Sequence, residues 1–123
     1  MRIIIPAKPD NQLVYAASLS YLENLQDAGV KFYRYTAGFM HAKVMVIDDL
    51  LATTGSANLD MRSFYSNFEL TAVLLSPELI GQLAAAFEKD LKHSQFIDPG
   101  IFMGRAWNVK LIQSLCQLLS PLL

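Results

Sequence analysis

The chain reads as α/β, a mixed β-sheet with helices packed on its faces, and three observations carry that reading. Runs rich in β-branched, aromatic or aliphatic residues recur at 3–5, 30–35, 42–47, 50–54 and 67–75, each of strand length. Two longer stretches, 10–28 and 77 onward, repeat their apolar residues with helical period. At 123 residues, the chain can bury roughly two thirds of the surface its unfolded form exposes, enough for one core.

The elements follow in order. Ile3 to Ile5 form a short strand stopped by Pro6. Asp10 caps a helix whose Leu13, Val14, Ala17, Tyr21, Leu25 and Ala28 share one face, and Gly29 ends it. Val30 to Tyr35 alternate Val, Phe and Tyr against Lys and Arg, the period of a strand. Residues 42 to 47 read as a buried strand ending in a turn at Asp48-Asp49, and Leu50 to Thr54 return as its partner. Asp60 to Ser66 are a polar connection to a nearly continuous apolar strand, 67 to 75, which carries Glu69 near its start. Ser76-Pro77 opens a second helix with Leu79, Ile80, Leu83, Phe87 and Leu91 on its buried face. His93, near the end of that helix, reads as a C-terminal residue interacting with the helix dipole.

Beyond Asp98-Pro99-Gly100 the composition changes, so the chain divides into a domain at 1–98 and an amphipathic tail at 99–123. In the tail Trp107, Leu111, Leu115 and Leu118 fall on one helical face, opposite Lys110, Gln113 and Gln117. Such a helix either lies in a bilayer interface or packs on protein.

Composition narrows the functions. Hydrophobic residues make up 53% and charged ones 17%, an apolar balance that leaves surface for a partner or a membrane. The net charge of −1 supplies no bulk attraction to polyanions, so nucleic acid is an unlikely partner and phosphate recognition must be local. One cysteine, Cys116, excludes an internal disulfide. No apolar run approaches the roughly 18 residues of a membrane span, and the N-terminus has no signal-peptide pattern.

The chemistry concentrates in His41-Ala-Lys43-Val-Met-Val-Ile-Asp48 and, six residues later, Gly55-Ser56-Ala-Asn58. Strand facing alternates, so His41 and Lys43 point to one side and Asp48 to the other. An imidazole and an ammonium side by side at the head of an apolar strand are costly unless an anion sits opposite, and a phosphate satisfies both. Asp48 then reads as a structural carboxylate at the turn. Gly55 permits a close backbone approach, and Ser56 and Asn58 are alternate short donors suited to phosphate oxygens. The two histidines stand far apart and no ligand set is apparent, so neither a metal nor another cofactor is expected.

This pattern, HxKxxxxD followed by GSxN, resembles the signature of the phospholipase D superfamily, whose members break and remake phosphodiesters with a histidine nucleophile and no metal. The resemblance implies catalytic roles for His41, Lys43, Asn58 and Glu69. It implies phosphate binding by Lys43, Ser56 and Asn58, and a carboxylate at Glu69 that fixes the tautomer of His41. The family builds its site from two such motifs in a two-lobed fold. One copy is present here, so the chain resembles one lobe and half of an active site.

The stretch Gly55-Ser-Ala-Asn-Leu-Asp-Met-Arg-Ser-Phe-Tyr-Ser-Asn-Phe-Glu69 is similar to the C-terminal motif region of bacterial cardiolipin synthases, and the likeness extends to Ile-Ile-Ile-Pro-Ala-Lys-Pro-Asp at the start and Leu-Leu-Ser-Pro-Leu-Leu at the end. It implies the C-terminal half of a phosphatidyltransferase that moves a phosphatidyl group between two molecules of phosphatidylglycerol, or a related phospholipid, through a phosphohistidine, at the bacterial cytoplasmic membrane by peripheral association. It implies as partner a missing N-terminal half. Met1 running straight into Arg-Ile-Ile-Ile reads as an entry in the middle of a domain. Arg62 pairs with a carboxylate or contacts a lipid phosphate. Two alternatives stand beside this reading: a phosphodiesterase or nuclease that completes its site with a second copy of itself, and an inactive remnant that at most binds a partner or membrane.

Overall fold

The computed structural model describes residues 1–8, 22 and 24–98. Residues 10–21 and 23 of the predicted 10–28 helix, the side chain of Arg62, and the tail with Trp107, Leu111 and Cys116 lie outside the described residues. The described elements run β1 (Arg2–Pro6), β2 (Lys31–Tyr35), β3 (Val44–Ile47), β4 (Leu51–Gly55), α1 (Met61–Tyr65), β5 (Thr71–Leu74), α2 (Pro77–Lys92) and β6 (Ser94–Phe96).

The strands form two three-stranded sheets, β1-β2-β6 and β3-β4-β5. The first is mixed: β1 runs parallel to β2, and β6 antiparallel to it. The parallel pair needs a crossover, and residues 24–27 are the helical end of one. That helix stops at Gly29 with φ +86°, where Gly29 N–H donates to Gln26 O and Val30 N–H to Leu25 O. The left-handed glycine predicted as its stop closes the orphan carbonyls there. Tyr33 and Phe96, opposite each other across β2 and β6, meet edge to face at 5.5 Å between centroids. Buried Leu22, Phe32 and Ile97 form the core of this half, with Ile3, Ile5 and Val30 packed against them.

The second sheet is an antiparallel meander. Its β3–β4 turn places both Asp48 and Asp49 at positive φ, 47° and 54°, with Leu50 N–H donating to Ile47 O. Aspartate tolerates the left-handed region better than most residues, which explains a tight hairpin turn built without glycine.

α2 touches strands of both sheets, β2 and β6 on one side, β3 and β4 on the other. Pro77 occupies its first turn, where a missing N–H costs nothing, and Lys89 and Lys92 sit in the last turn. His93 is its C-cap, its Nδ1 2.9 Å from Lys89 O, as the sequence reading placed it. Arg2 donates to Glu88 at 2.6 Å and stacks over Phe87, tying the start of β1 to α2. Both partners of that ion pair are about half exposed, so it contributes little to stability.

Several expectations need correction. Of the predicted buried face of α2, Ile80 is buried, Leu83, Phe87 and Leu91 are half-buried, and Leu79 is exposed. β3 begins at Val44 rather than residue 42, and β5 at Thr71 rather than 67, which puts Lys43 and Glu69 in the segments leading into those strands. Neither strand is buried as its apolar run suggested, since Met45, Ile47 and Val73 are all exposed. Met45 pairs with Thr53 and Thr53 with Val73, so these side chains share one face of the sheet. The polar connection 60–66 contains the short helix α1, and the three residues of β6 were not anticipated.

Candidate active site

The register of the second sheet gathers the chemistry at one end. Val44 opposes Thr54 and Gly55 opposes Thr71, so the start of β3, the end of β4 and the start of β5 lie side by side. The residues just beyond those ends are Lys43, Ser56 and Leu70, with Glu69 one residue and His41 two residues further out. The backbone ties them: Gly55 N–H donates to Lys43 O at 3.2 Å, and Ser56 N–H to Leu70 O at 3.0 Å. Three segments distant in sequence are thereby brought to one edge.

Glu69 is the centre of the polar contacts. The Ser56 hydroxyl donates to Glu69 Oε2 at 2.5 Å and accepts from Leu70 N–H at 3.0 Å, while Asn67 Nδ2 donates to Glu69 Oε1 at 3.3 Å. Hydrogen bonding, that of Ser56 first, holds the Glu69 carboxyl below the usual glutamate range, outweighing the desolvation that opposes it; Asn67 and the Lys43 charge add less. Lys43 is half-buried and folds back so that its Nζ donates to His41 O at 3.2 Å. The exposed His41 imidazole stacks on Phe39 at 5.8 Å, the planes 15° apart.

The depressed Glu69 carboxyl has a consequence for acid stability. A group whose pKa is lower folded than unfolded contributes stability above its unfolded value, and loses it as pH falls through the folded value. Glu69→Gln is therefore expected to flatten the acid limb of stability below the ordinary glutamate range. Chemical denaturation at a series of acidic pH values checks this, and an acid limb identical to that of the unmodified chain contradicts it. The effect is modest, because the carboxyl is open to solvent.

Of the residues selected from sequence, Lys43, Gly55, Ser56 and Glu69 meet at this edge, with His41 attached through Lys43. Asn58 joins through its backbone: its N–H donates to the Ser63 hydroxyl at 3.1 Å. Asp48 stands apart, in the turn at the other end of the β3–β4 hairpin, roughly 15 Å along the strand from Lys43 at about 3.3 Å per residue. Sequence reasoning missed Ser63, Asn67 and Phe39. Asp60 and Ser63 stand at N-cap and N3 spacing, and Ser63 N–H does donate to Asp60 Oδ1 at 2.7 Å. That capping signature was the signal available. Among the described residues no group of three or more His, Cys, Asp or Glu is placed to hold a metal ion.

Comparisons with known proteins agree on one family. The family described as "Cardiolipin synthase, PLD-like domain" matches residues 1–91. The whole chain aligns at 44% identity with a cardiolipin synthase of Halalkalibacterium halodurans, and at 45% with one of Geobacillus kaustophilus. It aligns at 45% with cardiolipin synthase 2 of Bacillus anthracis. In each case the chain spans 24% of the relative's length. The crystal structure of a phospholipase D family member, Nuc from Salmonella typhimurium, superposes with a TM-score of 0.67 over 78% of this chain and 62% of that one. At 17% identity that likeness is one of fold. A whole-chain match to cardiolipin synthases and a phospholipase D fold lead to one conclusion: this chain belongs to the phospholipase D-like domain family of cardiolipin synthases.

Proposed function

We propose that this chain is the C-terminal catalytic half of a cardiolipin synthase, transferring a phosphatidyl group from one phosphatidylglycerol to another. The observation that carries the reading is the convergence of Lys43, Ser56 and Glu69 at one sheet end beside His41, in a chain similar over its whole length to cardiolipin synthases. A cation, hydroxyl and amide donors, and an exposed imidazole together suit a phosphodiester.

In this reading the histidine of the other half attacks phosphorus, and a P–N bond forms as the P–O bond to glycerol breaks. His41, as the imidazolium, gives its proton to the leaving glycerol oxygen. The hydroxyl of the second phosphatidylglycerol then passes its proton to His41 and attacks phosphorus, and the P–N bond breaks to free the nucleophile. Two phosphatidylglycerols yield cardiolipin and glycerol. Lys43 and Asn58 stabilise the charge on the non-bridging oxygens at each pentavalent stage. Asp48 and Gly55 serve the hairpin that holds these groups in place.

The substrate reading is supported by the apolar surroundings. Phe39, Phe64, Phe68 and Leu70 are all exposed and adjoin the site residues in sequence, a composition suited to a lipid surface. From these exposed apolar side chains we propose peripheral association with the bacterial cytoplasmic membrane; no helix of the described residues is long and apolar enough to cross a membrane.

Attack on phosphorus and protonation of the leaving oxygen come from opposite sides of an in-line geometry, and one histidine–lysine pair occupies one side. The chain as a monomer is therefore expected to make no cardiolipin. Co-expression with the N-terminal half of a cardiolipin synthase is expected to restore its formation from phosphatidylglycerol, measured by lipid chromatography. Cardiolipin made by a demonstrably monomeric preparation of these 123 residues would refute the half-site reading.

A further inference from the structure

We propose that Phe39 is a positioning residue of this site: its ring stacks on the His41 imidazole and fixes the plane in which the two ring nitrogens lie. The catalytic consequence rests on the half-site reading, and the stack stands on geometry.

The ring centroids are 5.8 Å apart and the planes 15° from parallel, so the rings lie face to face with an offset. Phe39 is 64% exposed and takes no part in the core cluster of Leu22, Phe32 and Ile97. Packing of the fold therefore does not account for a phenyl ring at this position. The ring contact it makes is with the imidazole.

The segment that carries both rings is suited to the contact. Residues 39–43 belong to no helix or strand, and Lys43 O accepts from Gly55 N–H where they lead into β3. Alternate residues of an extended chain face one way, which sets Phe39, His41 and Lys43 on one side. Lys43 Nζ donates to His41 O at 3.2 Å, a bond that anchors the backbone of His41 and leaves its side-chain torsions open. The second of those torsions has broad minima in histidine, so the imidazole plane is weakly set by its own chemistry. Turning about it tilts the imidazole out of the parallel arrangement, and the stack opposes that turn. A general acid must aim its N–H at the leaving oxygen, and a ring that holds its plane does so for a larger share of the time.

The test compares Phe39→Leu, which keeps an apolar side chain without a ring face, with Phe39→Tyr, which keeps the ring. In this chain the second histidine, His93, stands at the C-cap of α2 and serves as an internal reference. NMR spectra are expected to show the ring-proton resonances of His41 displaced in Phe39→Leu and nearly in place in Phe39→Tyr, with those of His93 unmoved in both. In the co-expressed two-half enzyme, Phe39→Leu is expected to lower kcat about three- to tenfold with KM little changed, the size of one aromatic pair. Phe39→Tyr is expected to keep kcat near that of the unmodified enzyme. His41 resonances that stay in place in Phe39→Leu overturn the stack. Displaced resonances with kcat unaltered overturn the positioning role. Activity kept by Phe39→Leu and lost in Phe39→Tyr overturns it too, and assigns Phe39 to apolar contact with lipid. Failure of the unmodified two-half enzyme to make cardiolipin would instead count against the half-site reading, and the ring resonances would still decide the stack.

Discussion

Replacing His41 or Lys43 with alanine in an assembled two-half enzyme is expected to lower phosphatidyl transfer by about a hundredfold or more, with the chain still folded. His41 is exposed and Lys43 half-buried, and neither belongs to the packed core, so their loss should leave unfolding transitions nearly unchanged. What is removed differs between the two. In the proposed mechanism His41→Ala takes away the group that gives and receives the proton, while Lys43→Ala takes away a cation that matters most at the pentavalent stage. Radiolabelled phosphatidylglycerol turnover, with circular dichroism as the folding control, makes the comparison. Activity within a few-fold of the unmodified enzyme for either variant would end the site assignment.

Gly55→Ala is expected to be the most damaging small substitution in the second sheet. The backbone of Gly55 is not at positive φ, so the requirement for glycine is one of space. A Cβ at Gly55 would collide with the carbonyl oxygen of Leu70 and lie 2.8 Å from Thr71 Cα, and backbone atoms cannot swing aside as a side chain can. β5 must move off β4, which breaks the Ser56 N–H bond to Leu70 O and carries Glu69 away with it. A destabilisation of about 2–4 kcal/mol is expected, in the range of overpacked interiors and disrupted networks. Gly81→Ala is the matching control. It lies on α2 with nothing within 4 Å of an added Cβ, and should stabilise by about 0.5–1 kcal/mol through helix propensity. Urea denaturation of the two variants should therefore move in opposite directions, and equal midpoints would show that the close approach at Gly55 is relieved at no cost.

Much of this was legible in the chain. Gly29, Pro77 and the Asp48-Asp49 turn punctuate the elements through local backbone chemistry, and local chemistry is what a sequence displays directly. The meeting of Lys43, Gly55 and Ser56 was also readable, because a hairpin brings its two ends together whatever its surroundings. The errors have a common origin. The apolar run 67–75 looked like one strand, but Glu69 turns aside to accept from Ser56 and Asn67, so pairing with β4 starts only at Thr71. β6 forms because β2 offers it an edge, and Ser-Gln-Phe carries no alternation to announce that. Ser63 was hidden for a related reason. It is buried, with its hydroxyl accepting from Asn58 N–H, and burial is a property of the assembled fold rather than of the residues around it in sequence.

The placement of α2 across both sheets bears on how the protein comes apart. β2 and β4 are the central strands of their sheets, each paired on both sides, and α2 packs against both. These three elements should hold their amide protons longest in hydrogen exchange, whereas β3 and β5 are flanking strands with an exposed outer face. His41, Lys43 and Glu69 all hang on the ends of those flanking strands. Small local openings at the sheet margin would therefore scatter these candidate site residues while the centre remains intact, so the activity proposed for the two-half assembly would be lost at denaturant concentrations that leave its circular dichroism unchanged.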